Sequence, residues 1–316
     1  MQQNTLFENF KIIGSNTNKY LDRFKNILNI NSSILITGET GTGKELVARW
    51  IHFNDYKRNK KPFVKIAIPN IGENIFESEV FGYEKGAFTG AITSKKGLIE
   101  VAEDGTIFLD EIENASPSIQ SKLLQLLEDR LYRKVGDTKY KKTNARFVIA
   151  TNKDLLTEVQ ANNFRSDLFY RLAVIEIKLP PLRERGFDII EIANHYIDKY
   201  SNETNIQVNQ LHDSAYKALS SYSWPGNIRE LKNFIERSVI FTESKNLDLS
   251  TLQKDTLIQS DSSIMFNYKD YIRNKEYELI FNALKRCNWN VEQTAKLIDM
   301  SIPFVYKKIK ELHIRI

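Results

Sequence analysis

The stretch Ile34-Leu35-Ile36-Thr37-Gly38-Glu39-Thr40-Gly41-Thr42-Gly43-Lys44-Glu45 constrains this chain more than any other. Three apolar β-formers run into a glycine-rich turn closed by a lysine, and Leu46 to Ile51 then shows helical amphipathicity. Strand, glycine-rich loop and helix is the context in which G-x-x-x-x-G-K cradles phosphate. Gly38, Gly41 and Gly43 allow backbone conformations that a Cβ would block. The freed N–H groups and the helix N-terminus then converge on anionic oxygens. Lys44 adds a point charge for the β- and γ-phosphates. After such a lysine, Ser or Thr usually brings a hydroxyl to Mg²⁺. Here the residue is Glu45, so the metal is held otherwise, through water or by this carboxylate. The plainer alternative, a turn without a ligand, is weakened by the motifs that follow in order.

At 316 residues the chain can bury a large core and carry more than one domain. No apolar run approaches the roughly 18 residues of a membrane span. The first ten residues lack the basic region and apolar core of a signal peptide. Cys287 is the single cysteine, which excludes an internal disulfide and fits a reducing cytoplasm. A formal net charge of +5 hints at an anionic partner, although a basic surface also serves solubility.

Residues 1–11 read as a leader. Apolar Tyr20, Leu21, Phe24, Ile27 and Leu28 predict a helix from Lys19 to Asn29. Ile13, just upstream of the phosphate loop, either covers an adenine face or packs in the core. Lys57 to Lys61 reads as a solvated basic turn, and Phe63 to Ile68 as a second strand. Gly86-Ala87-Phe88-Thr89-Gly90-Ala91 is a tight hairpin or surface loop by composition. An exposed Phe88 is costly unless something binds it, so residue physics alone favours a side chain folded back into the core.

Thr106 to Leu109 suits a strand buried on both faces. It delivers Asp110 and Glu111 to the carboxyl edge of the sheet, where open α/β sheets bind ligands. There Asp110 can hold Mg²⁺ and Glu111 can polarise an attacking water. Ser118 to Leu131 is an amphipathic helix, and Arg146 to Asn152 is another buried strand. Asn152, at its end, reaches a γ-phosphate or water, or else caps a turn. Arg165 and Arg171 are six apart, which is not one helical face, so the pair suits two separate contacts. Either Asp167 neutralises one of them, or both reach a neighbouring subunit's nucleotide, an arrangement that requires a ring.

Pro180-Pro181 marks a boundary, and Leu182 to about Asn246 is helical. Asn227 is the expected N-cap of a helix whose first turn holds Arg229. A cation there opposes the helix dipole, which points to an anionic partner such as ATP; a salt bridge to Glu230 or Glu236 is the alternative. Residues 247–270 read as a linker. Within 271–316, Tyr271 to Arg286, Val291 to Ile298 and Ile302 to Leu312 follow the helix-turn-helix plan. Ser301 is placed to cap the last helix, and Pro303 suits its first turn. Nine lysines and arginines against five acids leave this segment an excess of four positive charges. Lys307, Lys308 and Lys310 are placed to meet DNA phosphates; a helical docking module with a solvated basic face is the alternative.

Together these motifs resemble the sigma-54-dependent transcriptional activators, or bacterial enhancer-binding proteins, of the AAA+ superfamily, from about Ile12 to the C-terminus. Gly86 to Ala91 matches the family's sigma-contacting GAFTGA loop letter for letter, which reverses the bland reading of Phe88. Gly38 to Glu45 matches its Walker A, Asp110 and Glu111 its Walker B, and Asn152 its sensor I. Arg165 and Arg171 match its arginine fingers, Arg229 its sensor II, and residues 271–316 its Fis-like DNA-binding domain.

Several positions depart from the pattern. Ala67 stands where the family has an Asn that switches the Walker B glutamate, and Asn70 is the candidate substitute. Asp299 replaces a turn Gly, and Pro303-Phe304 replace arginines, so base readout is expected to differ. No room for a sensing domain precedes Ile12, so control is expected from a partner protein, from expression level or from a portion outside this chain.

The resemblance implies an α/β AAA+ ATPase subdomain at 12–180, a helical lid at 181–246 and an all-α helix-turn-helix domain at 271–316. It implies ATP and Mg²⁺ as cofactors, and sigma-54, RNA polymerase and enhancer-like double-stranded DNA as partners. It further implies self-association into dimers and a ring, with a hexamer the expected size. Two rivals are a DNA-binding regulator with ATP as ligand only and a generic AAA+ remodelling ATPase.

Overall fold

Short runs of Ile, Leu, Val and Phe, each ended by polar residues, become the strands of a central parallel sheet. The computed structural model describes residues 12–206, 208, 213–242, 247, 280–287, 289–298, 300–312 and 314. The expected leader, most of the linker, the start of the Tyr271 helix and Asp299 lie outside the described residues. The chain divides into two units, Met1–Leu252 and Gln253–Ile316.

The strands of the first unit are β1 (Ile34–Thr37), β2 (Phe63–Ala67), β3 (Gly82–Tyr83), β4 (Lys95–Lys96), β5 (Thr106–Asp110), β6 (Leu131–Tyr132), β7 (Lys141–Lys142), β8 (Arg146–Thr151) and β9 (Ile175–Lys178). Five of them form one sheet in the order β2-β5-β8-β1-β9, and every neighbouring pair is parallel. Parallel pairing requires crossover helices, and these cover both faces. They are α1 (Ser15–Asp22), α2 (Lys44–Asn54), α3 (Glu73–Val80), α4 (Leu98–Ala102), α5 (Pro117–Asp129), α6 (Leu155–Gln160) and α7 (Ser166–Leu172).

Strand alternation sorts the core into two layers. Ile34, Ile36, Phe108, Val148 and Ala150 pack with Val47, Ala48 and Ile51 of α2. Leu35, Ile107, Leu109, Phe147 and Ile149 pack with Leu123, Leu126 and Leu127 of α5. The strands are therefore apolar throughout, as a sheet buried on both faces demands.

A buried ionic cluster closes the amino edge of the sheet. Arg146 and Asp55 are both fully buried and lie 3.3 Å apart, and Arg58 reaches Asp55 at 2.9 Å. The Arg146 guanidinium also donates to the carbonyls of Leu28 and Ile27. This corrects the reading of Lys57 to Lys61 as a solvated turn. Arg58 is drawn inward because Asp55 and Asn31 accept its two terminal nitrogens. The helix expected from Lys19 to Asn29 is also broken: α1 ends at Asp22, and a separate 3-10 turn covers Lys25–Ile27.

Beyond the sheet, α8 (Asp188–Thr204), α9 (Asp213–Ser221) and α10 (Asn227–Ile240) gather around fully buried Trp224. Asp188 binds this layer to α1, accepting from the backbone N–H groups of Asn16 and Thr17 and from the Thr17 hydroxyl at 2.6–2.9 Å. That satisfies N–H groups which the first turn of α1 cannot pair internally.

In the second unit residues 280–286 are helical, followed by α11 (Val291–Leu297) and α12 (Ile302–Glu311). Ile280, Leu284, Val291, Ala295, Val305 and Ile309 form its core. Asn290 caps α11, and Ser301 caps α12 by accepting from the Phe304 N–H at 3.4 Å.

Candidate nucleotide site and the Gly86–Ala91 loop

The glycine-rich loop leaves β1 and enters α2 at the carboxyl edge of the sheet. Gly43 caps α2 with φ +94, and Gly41 has φ +80. A Cβ on Gly41 would run into the Gly226 carbonyl, so glycine is required by both conformation and space. Lys44 is 9% exposed, and its ammonium donates to the Gly38 and Glu39 carbonyls at 2.7 and 3.1 Å. Burial pulls its pKa below the ordinary lysine value, against the fields of Asp110, Glu113 and Glu111. The Thr42 hydroxyl donates to the Glu39 carbonyl, holding the loop closed at 2.7 Å.

β5 and β8 deliver the polar residues expected of them. Asp110 and Glu111 stand at the end of β5, where Glu111 adopts a left-handed φ of +56. That conformation is uncommon for a residue with a Cβ. Asn152, just past β8, donates from its amide to the Thr40 hydroxyl at 3.2 Å. The phosphate loop, the β5 carboxylates and Asn152 are thereby brought to one place. Glu113 joins them: one oxygen accepts from the Asn152 N–H at 3.4 Å, and the other is buried without a hydrogen-bond partner.

Glu45 lies on the first turn of α2. It accepts from Arg49 at 2.8 Å and from Lys65 at 2.6 Å, and Lys65 also pairs with Asp110 at 3.1 Å. Two carboxylates thus converge on a single cation. No cluster of three or more metal-ligating side chains occurs among the described residues. Mg²⁺ is usually held by one or two carboxylates together with substrate phosphates, and Glu45 and Asp110 are two such carboxylates.

The helical layer closes over the loop. Arg229 is exposed on the first turn of α10, and the Ile228 N–H donates to the Gly41 carbonyl at 3.0 Å. The alternative of an ion pair with Glu230 is not realised, because Glu230 accepts from the Gly226 N–H and the Tyr222 hydroxyl instead. Arg229 has no acidic partner among the described residues. Asn227 is not the N-cap; Gly226 is. Fully buried, the Asn227 amide instead donates to the Thr40 carbonyl and Glu39, while its oxygen accepts from the Leu182 N–H. Arg183 grips Glu39 with two hydrogen bonds, at 3.0 and 2.6 Å, which holds the Glu39 carboxyl below its ordinary pKa. Ile13 packs against the helical layer.

Arg165 and Arg171 belong to a different surface. Arg165 makes a two-pronged pair with Asp167, at 3.0 and 2.7 Å, and also donates to the Ser121 hydroxyl. Arg171 donates twice to the Leu127 carbonyl. Tyr170, 73% exposed, and Val174, 55% exposed, lie between and beside them.

The Gly86–Ala91 loop is a surface projection between β3 and β4. Its ends are joined by the Gly86 N–H donating to the Ala91 carbonyl at 2.9 Å, and Gly86 and Gly90 both have positive φ. Ala91 is buried, Ala87 packs against Gly136, and Thr89 is exposed. Phe88 is 47% exposed and rests edge-on against Tyr83, with ring centres 5.0 Å apart. The core position favoured by residue physics alone is not adopted. Two left-handed glycines turn the tip outward.

Asn70, the candidate substitute at the Ala67 position, is exposed and forms no hydrogen bond with Glu111. The amide that reaches Glu111 is Asn114, at 3.3 Å. In the second unit Pro303, Phe304, Lys307 and Lys310 are exposed on α12, whereas the Lys308 side chain is 19% exposed; Lys307 and Lys308 both pair with Glu311. Ser301 is committed to its cap.

Residues 12–178 match the sigma-54 interaction domain family. The chain belongs to the sigma-54-dependent activator family. Residues 183–265 match the AAA+ ATPase lid domain, and 271–312 the Fis family of bacterial regulatory proteins. Nitrogen fixation protein AnfA of Azotobacter vinelandii is 39% identical over 277 residues, covering 87% of this chain and 52% of that protein. Regulatory protein AtoC of Escherichia coli is 40% identical over 288 residues, covering 89% of this chain and 62% of that protein. The chain thus spans just over half to under two-thirds of these relatives' lengths. The crystal structure of NtrX from Brucella abortus in complex with ADP has a TM-score of 0.72 and 29% identity, covering 98% of this chain and 70% of that one. Closed-state Hsp104, at a TM-score of 0.53 and 14% identity over 76% of this chain and 51% of that one, shares the AAA+ fold alone.

Four contacts at the candidate site were invisible in the motifs. Lys65, Asn114, Arg183 and Asn227 reach the site from elements outside the phosphate loop. Only Lys65, at strand spacing from Ala67 and facing the same side, carried a local signal.

Proposed function

We propose that this chain is an ATPase whose hydrolysis cycle moves the Gly86–Ala91 loop against sigma-54 and thereby remodels the closed RNA polymerase–promoter complex. The observation that carries the reading is an outward-turned Phe88-Thr89 tip on the same unit as the phosphate loop. Gly38 to Lys44 cradle the phosphates, and Ile13 and Arg229 contribute from the helical side. Asp110 holds Mg²⁺, with Glu45 beside it. Glu111 polarises the attacking water and Asn152 senses the γ-phosphate.

Arg165 and Arg171 lie on a surface with exposed Tyr170 and Val174, which supports their acting in trans within a ring, with a hexamer the proposed size. Asp167 then releases Arg165 to the neighbour's phosphates. The α/β module is taken as 12–180, the lid as 181–246 and the linker as 247–270. The second unit, within 271–316, binds enhancer-like DNA as a dimer through Pro303, Phe304, Lys307, Lys308 and Lys310, with Ser301 setting the helix start. The site of action is the cytoplasm; no helix among the described residues is long and apolar enough to cross a membrane.

The test is Thr89→Ala in a reconstituted sigma-54 transcription assay. Phosphate release should persist while open-complex formation is lost. Retained activation would remove the loop from the mechanism. Absence of phosphate release by the unaltered chain, at concentrations that permit oligomers, would favour a DNA-binding regulator with ATP as ligand only. ATP turnover without capture of sigma-54 would favour a generic AAA+ remodeller.

A further inference from the structure

Among the described residues, Lys65 is the one cation that touches both carboxylates of the candidate metal position. Its ammonium lies 2.6 Å from Glu45 and 3.1 Å from Asp110. In the parallel register, Ala67 lies opposite Asp110 and Lys65 opposite Phe108. Residues 65 and 67 face the same side of the sheet, so the lysine stem extends past a mere methyl group to reach the strand end. Its ammonium also lies 6.0 Å from the Phe108 ring centre. Burial alone would lower the Lys65 pKa, but its hydrogen bonds to Glu45 and Asp110 outweigh that and raise it. Glu45 has a second cation in Arg49, whereas Lys65 is the only ion-pair partner of Asp110 among the described residues.

We propose that Lys65 is a resident counter-cation of the metal position, holding Asp110 and Glu45 together until Mg²⁺ arriving with the nucleotide displaces it. Two carboxylates that converge on one ammonium present the oxygen pair a divalent ion would use. Lysine, with a flexible four-carbon stem and a compact charge, can withdraw without moving the strand. Lys65 is then a positioning residue: it keeps Asp110 aimed and screened, and it sets the Mg²⁺ concentration at which the metal enters. The small Ala67 is what lets it serve. This inference rests on the nucleotide-site reading above.

The experiment titrates Mg²⁺ into the full chain with the fluorescent nucleotide mant-ADP, using wild type, Lys65→Met and Lys65→Arg. The readout is the Mg²⁺ midpoint of the fluorescence change, with no turnover involved. Lys65→Met should lower the midpoint roughly twofold to fivefold, the scale of a part-exposed ion pair. Lys65→Arg, which keeps a cation, should stay near wild type and shows that the strand tolerates substitution. An unchanged or raised midpoint in Lys65→Met would overturn the proposal while leaving the nucleotide site standing. Failure of the wild type to bind mant-ADP at any Mg²⁺ concentration would remove the site itself, and the inference with it.

Discussion

The Asn227 amide donates to the Thr40 carbonyl at 3.0 Å, so a residue 187 positions away is hydrogen-bonded directly to the phosphate loop. The same side chain accepts from the Leu182 N–H at 2.7 Å, where the chain enters the helical layer. One buried side chain therefore ties together the loop, the entry to that layer and the start of α10. Movement of α10 cannot occur without consequences at Thr40.

Asn227→Ala should destabilise the first unit by about 2–4 kcal/mol, since it leaves buried polar groups unpaired. Part of the loss comes from φ +52, a conformation that asparagine tolerates better than alanine. Urea unfolding monitored by tryptophan fluorescence measures this directly, because Trp224 is fully buried nearby in the chain. A loss below about 0.5 kcal/mol, the scale of an ordinary surface substitution, would deny Asn227 this role.

His52 makes stability depend on pH. It is 2% exposed on α2 and bonded through Nδ1 to the hydroxyl of Thr106 on β5 at 2.9 Å. Burial lowers its pKa from 6.5 to about 4. As pH falls through 6.5 the unfolded chain takes up a proton that the folded chain refuses until about 4. The unfolded state therefore binds more protons in that window, and stability falls with falling pH. The full effect is on the order of 3 kcal/mol. His52→Gln should flatten this part of the stability–pH profile, measured by urea midpoints from pH 7 to pH 4. An unchanged slope would mean that His52 takes up its proton at the same pH in the folded and the unfolded chain.

How far the sequence carried this reading depended on the distance between partners. β1, β5 and β8 were legible because strands buried on both faces read as apolar runs with polar ends. The phosphate loop and the Asp110-Glu111 pair were legible because each is a local string. Arg58 was misplaced because Asn31 and Arg146, which complete its buried cluster, lie in separate segments, and no periodicity announces a buried charge. Phe88 shows the reverse case: the expected cost of exposing a large apolar ring was sound, but two left-handed glycines override it. Asn227 looked like a cap because its side chain suits that place, and only the folded chain shows that Glu39 and Thr40 claim it first.

Arg229 distinguishes a ligand contact from a structural one. It is exposed, while its nearest sequence candidate for a salt bridge, Glu230, already accepts two hydrogen bonds. Arg229→Ala should therefore change folding stability by less than about 0.5 kcal/mol. Nucleotide affinity should fall about tenfold, as expected for losing a charge-assisted contact to phosphate. Isothermal titration with ADP and with a non-hydrolysable ATP analogue measures both affinities. Unaltered affinity for both nucleotides would exclude Arg229 from the site.

Lys307 and Lys310 should appear in the salt dependence of DNA binding. Both are exposed on α12, whereas Lys308 is largely covered; Lys307 and Lys308 both lie within ion-pair distance of Glu311, at 3.8 and 3.4 Å. A lysine that neutralises a phosphate releases a counterion, and its removal lowers the slope of log K against log salt by roughly 0.9 on duplex DNA. The double variant Lys307→Ala, Lys310→Ala should therefore lower the slope by roughly 1.8 if both meet phosphates. Lys308→Ala should change it less, because the Lys308 side chain is 19% exposed against 71% for Lys307 and lies over the Phe304 ring. Fluorescence anisotropy of a labelled duplex, followed across a salt series, gives these slopes without knowledge of the target sequence. Equal slopes in the double variant and the wild type would move the phosphate contacts off α12, and with them the basis for reading it as the recognition helix.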